Sequence, residues 1–176
     1  MIRVAVRSES SRKGLSRRDN LERLAVRIAE GEGLSGDAEV SVLFVDDAAM
    51  KEINKSYRNV AKTTDVLSFE QEGPAAGGVK ILGDIVISLE TVESRYPGDA
   101  ACMRDEVRLL FCHGLLHLLG YDHGTRAERE EMTRLQARYL GRAIQAAWFA
   151  EPEGRKAATA STGRPRGGGS TSVGQR

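Results

Sequence analysis

A chain of 176 residues, 40% hydrophobic and 29% charged, has the proportions of one globular domain with a buried core. Its 26 basic and 25 acidic residues leave a net charge of +1, which by itself gives no warrant for a nucleic-acid partner. No apolar run approaches the ~18 residues that span a bilayer, and Met1–Ser10 alternates rather than forming a leader-like apolar segment, so the expectation is a soluble, cytoplasmic protein without a membrane partner.

In chain order, Ile2, Val4 and Val6 alternate as a strand does. Leu21, Leu24, Ala25 and Ile28 recur at helical spacing up to Gly31 and Gly33. Val40–Val45 reads as a second strand, and Asp46 or Asp47 is placed to cap the helix after it. That helix carries Met50, Ile53 and Tyr57 on one face, so Tyr57 reads as core, with base stacking as its alternative. Asp65–Phe69 and Ile81–Ser88 read as strands around a glycine-rich loop (Gly73, Gly77, Gly78). A helix is predicted over Asp99–Leu119 and a last one over Thr125–Phe149. The fold class is α+β: a single domain with a mixed sheet of about four strands and packed helices. The domain spans residues 1–150. The segment 151–176 is rich in Gly, Ser and Arg, carries a net +3 against −2 for the rest, and is expected to be disordered.

Cys102 and Cys112 fall on one predicted helix, about 15 Å apart along its axis, too far for a disulfide. Both read as small core residues in a reducing compartment.

All three histidines lie between residues 113 and 123. His113 and His117, four apart, project from one face of a helix. Gly120 allows the chain to turn and bring His123 back toward them. Three imidazoles suit one zinc ion and leave a coordination position open, the arrangement of a catalytic rather than a structural site. The surrounding leucines make this helix apolar nearly all round, which places the metal site at the end of a buried helix. The spacing is shared with metzincin proteases, but these need Glu after the first histidine, and Gly114 stands there.

The run His113-Gly114-Leu115-Leu116-His117-Leu118-Leu119-Gly120-Tyr121-Asp122-His123 resembles the signature of the YbeY endoribonucleases. Two further blocks are similar to that family: Asn54, Tyr57 and Arg58 with Thr64–Phe69, and Leu82–Ser88. The chain departs from the family pattern at Ala61, Thr63 and Glu70, which bears on the loop there and not on the histidines. The resemblance implies a zinc-dependent endoribonuclease specific for single-stranded RNA. It also implies a role in maturing the 3′ end of small-subunit (16S) ribosomal RNA, in ribosome quality control, and in contact with the ribosome or small-subunit assembly factors.

It further implies His113, His117 and His123 as metal ligands, and Arg58 and His113 as catalytic. Arg58 and Lys62 are the substrate-binding candidates, because they belong to a basic stripe with Lys51 and Lys55 that can hold phosphates. Asp84 reads either as a carboxylate behind the metal ligands or as a strand-entry residue, and Asp122 either as an orienting carboxylate or as a turn residue. The rivals to RNA cleavage are peptide hydrolysis and a non-catalytic assembly factor whose zinc only stabilises the fold.

Overall fold

The computed structural model describes residues 1–12, 14–15, 17–71 and 78–144. Its elements are β1 (Ile2–Ser8), α1 (Arg18–Gly31), β2 (Asp37–Val45), α2 (Asp47–Arg58), β3 (Val66–Glu70), β4 (Val79–Ser88), α3 (Leu89–Arg95), α4 (Ala100–Leu118) and α5 (Arg126–Leu140). The strands form one mixed sheet in the order β1-β2-β4-β3. β1 and β4 run parallel to β2, while β3 is antiparallel to β4 at the edge.

Alternation along the strands sorts the core onto two faces. Val4, Val40, Val42, Phe44, Ile85 and Ile87 point to one side, where α1, α4 and α5 cover them. Val45, Leu67 and Val86 point to the other and pack on Met50 of α2. α4 is the central helix, with buried residues on nearly every side from Met103 to Leu118. It lies close on β4 because Gly114 has no side chain: a Cβ there would come within 2.9 Å of Ile85 Cγ2. No helix among the described residues is long and apolar enough to cross a membrane.

The structure corrects the expected element list in several places. There are five helices among the described residues, not four. α3 is seven residues long, too short for its period to show, and Ser88, which ends β4, also caps it by accepting the Thr91 N–H. α5 stops at Leu140 rather than Phe149, because Gly141 takes a left-handed conformation (φ 69°) that ends the helix. Residues 145–176, including the expected disordered tail, lie outside the described residues, as do Gly73 and Gly77.

Neither Asp46 nor Asp47 caps α2 with its side chain. Asp46 accepts from Ser10, Ser11 and Arg12, and Asp47 accepts from Ser88 and Thr91, while the Asp47 N–H is taken by Glu90. Tyr57 is not core but 71% exposed, with its ring set against Phe69 of the edge strand β3. Cys112 is buried as expected, but Cys102 is exposed in the first turn of α4. Asp84 does not enter a strand. It sits within β4 and accepts a hydrogen bond from Gln71 on the exposed side.

Candidate metal centre

The site is built at the C-terminal end of α4. His113 and His117 stand one turn apart, with their Nε2 atoms 3.0 Å from each other and ring centroids 4.5 Å apart. The helix ends at Leu118, and Gly120, at φ 94°, turns the chain in a conformation that side-chain-bearing residues rarely adopt. The return brings the His123 ring to 5.4 Å from His113 and 4.9 Å from His117, centroid to centroid.

Several bonds hold this return in place. The Tyr121 N–H donates to the Leu116 carbonyl, and the Tyr121 hydroxyl donates to Glu32, which also accepts from Tyr139 of α5. Arg129 donates to the carbonyls of His123 and Gly124. Asp122 accepts the N–H of His123 at 2.7 Å, the turn role rather than the ligand-orienting one. α5 then starts at once on a capping box between Thr125 and Glu128.

Burial and neighbouring charge disfavour the protonated form of two of the rings, His113 and His117. Burial, then the neighbouring His117 and His123, hold the His113 imidazole well below its usual range. Burial and then His123 push His117 down, outweighing upward pulls from Asp122 and the Tyr121 backbone, and Arg58 adds a last downward contribution. Neutral imidazoles keep the lone pairs that a cation needs.

The donor set fits a metal ion. One ligand nitrogen from each ring lies within 4.8 Å of the others. A tetrahedral zinc about 2.0–2.1 Å from each nitrogen would set them roughly 3.3 Å apart. The pair at 3.0 Å is already near that spacing, and the His123 nitrogen lies within 4.8 Å of both. Cysteine and carboxylate donors take no part in this group.

The structure brings some of the other candidates to the histidines and leaves others away from them. Arg58, the last residue of α2, is near enough to His117 to lower its basicity electrostatically. Lys62 is elsewhere. With Asp47, Lys51, Ala61 and Thr63 it lines a separate open cleft. Its carbonyl accepts from buried Asn54, which ties the loop after α2 to that helix. Thr63, a departure from the family pattern, hydrogen-bonds to Asp47. Tyr57, beside Arg58, rests on Phe69 with ring centroids 4.7 Å apart.

Sequence reasoning missed Gln136. It is fully buried on α5, with its amide 3.3 Å from Nδ1 of His113. Its signal was available: Met132, Leu135, Gln136, Tyr139 and Leu140 recur at helical spacing, so a polar residue sits on an apolar face.

Comparison with known proteins agrees with this architecture. The family model described as endoribonuclease YbeY matches residues 6–143. A protein named endoribonuclease YbeY from Pelotomaculum thermopropionicum is 47% identical over 69% of this chain and 83% of its own length. One of the same name from Moorella thermoacetica is 44% identical over 68% of this chain and 82% of its own. A solution structure from Thermotoga maritima superposes with a TM-score of 0.54 at 29% identity, covering 80% of this chain and 87% of the other.

Proposed function

Because the chain belongs to the YbeY endoribonuclease family, nucleases that act on RNA, we propose that it cleaves unpaired RNA at the three-histidine centre with one zinc ion. The observation that carries this reading is the convergence of His113, His117 and His123, with charge disfavoured on His113 and His117 and with Arg58 near enough to act on His117. Zinc in such a set supplies Lewis-acid chemistry and makes water more acidic at neutral pH.

The chain's own residues supply the rest. His113 and His117, fixed on a buried helix, give the centre a rigid floor, and His123 closes it from the loop. The Arg58 guanidinium grips two oxygens of the scissile phosphate and offsets the negative charge that grows as a water oxygen bonds to phosphorus. The bond from phosphorus to the leaving ribose oxygen breaks, and that oxygen takes up the proton the water gives up. Tyr57 offers an exposed ring on which an unpaired base stacks, which favours single strands over duplex. Lys62, on the neighbouring cleft, meets the phosphate backbone further along the strand.

Family membership supports the finer reading: the substrate is the 3′ region of small-subunit (16S) ribosomal RNA, the setting is ribosome maturation and quality control in the cytoplasm, and the partners are the ribosome or small-subunit assembly factors. Residues 1–150 are the catalytic unit, and 151–176 an appendage. Peptide hydrolysis finds no support in the geometry, because the position a protease needs for its glutamate is Gly114, which faces Ile85 and not the centre.

The test is cleavage of end-labelled single-stranded RNA by the wild type, His117→Ala and Arg58→Ala. The expected result is cleavage lost in both variants while each remains folded. Equal cleavage by all three would overturn the assignment.

A further inference from the structure

The metal-binding edge of His113 depends on its other edge. Nε2 faces His117 at 3.0 Å, and Nδ1 faces the Gln136 amide at 3.3 Å. A neutral imidazole carries one proton, on one nitrogen only. What Gln136 offers to Nδ1 therefore decides whether Nε2 has a lone pair for a metal or a proton in its place.

An amide has a donor end and an acceptor end, exchanged by a half turn about its last torsion. With the NH2 end toward the ring, Nδ1 accepts and the proton sits on Nε2, pointing at His117. With Oε1 toward the ring, Nδ1–H donates and the Nε2 lone pair points at the centre. Burial separates the two. Gln136 Oε1 is, among the described residues, a buried polar atom that no donor reaches. A buried carbonyl oxygen without a donor costs on the order of its desolvation, and the half turn gives that oxygen the Nδ1–H of His113 while the NH2 group takes its former place.

We propose that Gln136 is the positioning residue of the metal centre: its carbonyl oxygen accepts Nδ1–H of His113 and fixes the ring in the form whose Nε2 takes the metal. This rests on the reading that the three histidines hold a metal, and it adds a residue from α5 that touches neither metal nor substrate. It also gives a reason for a fully buried glutamine on an otherwise apolar helix face. Ligand histidines are generally oriented by such an acceptor, and its loss weakens metal binding.

The test measures zinc affinity by competition with a chromophoric chelator, without RNA. Gln136→Leu removes the acceptor and keeps the volume. Gln136→Glu keeps an acceptor and cannot present a donor when ionised. The expected result is zinc binding weakened about 10–100-fold in Gln136→Leu and held within a few-fold of wild type in Gln136→Glu. A merely structural role would lower the melting temperature of the metal-free protein without this split.

Long-range 1H–15N spectra of the metal-free wild type need no variant and are expected to show His113 protonated at Nδ1. Equal zinc affinity in wild type and Gln136→Leu, equal weakening in both variants, or a proton on Nε2 of the metal-free ring would each overturn the proposal. If the wild type binds no zinc, the metal reading falls and this proposal with it. If it binds zinc and Gln136→Leu binds as tightly, this proposal alone falls.

Discussion

His113 and His117 face each other across one turn of α4, Nε2 to Nε2 at 3.0 Å, and between them on the chain Gly114 seats the helix against Ile85 of β4. The depth of the pair in the core is set by that contact. A methyl group at Gly114 forces α4 off the strand, because its Cβ would meet Ile85 Cγ2 at 2.9 Å and two more Ile85 carbons at 3.2 Å.

Gly114→Ala is therefore expected to destabilise the protein despite the better helix propensity of alanine. Overpacking costs about 1–3 kcal/mol, and alanine recovers roughly 1 kcal/mol. Urea denaturation should show a net loss. A gain in stability would mean that the helix is free to move away from β4.

Tyr57 is exposed beside Arg58, with its ring against Phe69. Tyr57→Ala is expected to leave the melting temperature within a degree or two, since little surface is buried there. It should raise KM for unpaired RNA more than it lowers kcat, by a stacking contribution of about 1–3 kcal/mol. An unchanged KM would remove Tyr57 from the substrate path.

Asp47 links α2 to the start of α3. Burial pushes its carboxyl up, but hydrogen bonds from Ser88, Thr91 and Thr63 outweigh this and hold it below the usual carboxylate range. A carboxyl with a lower pKa in the folded state adds stability above its unfolded value of about 4 and loses it as the pH falls through the folded value. Asp47→Asn should thus be destabilised at pH 7 and converge on the wild type below about pH 4. A gap that stays constant down to low pH would show that the charge of the carboxylate is not what stabilises this junction.

The ends of the RNA products identify the nucleophile. Attack by water leaves an ordinary phosphate monoester at the cut. Mass spectrometry of the fragments should show no 2′,3′-cyclic phosphate, and its presence would assign the attack to the RNA 2′-hydroxyl instead.

The four strands and the long central helix were legible in the sequence because burial imposes a period, two in Val40–Val45 and an all-round apolar surface from Leu109 to Leu119. The three histidines were legible because their spacing is local: one helical turn, then a glycine turn. What escaped depends on contacts between distant segments. α3 is capped by the residue that ends β4, a double use of Ser88 that periodicity does not show. Tyr57 fits the spacing of Met50 and Ile53, yet it meets the Phe69 ring at the edge strand β3 and stays exposed. Lys62 shares a stripe with Arg58 in the sequence, but α2 ends at Arg58, and Lys62 lines an open cleft with Lys51 from the loop that follows. Gln136 meets His113 across 23 residues, and only the packing of α5 on α4 brings them together.

The most direct test of the metal-centred nuclease is cleavage of end-labelled single-stranded RNA by protein stripped of metal, followed by stepwise addition of zinc. Cleavage should be absent at first, rise with added zinc, level off at one ion per chain, and remain absent throughout in His117→Ala. Cleavage by the stripped wild-type protein as fast as after zinc addition, or equal recovery in His117→Ala, would contradict a nuclease built on these three histidines.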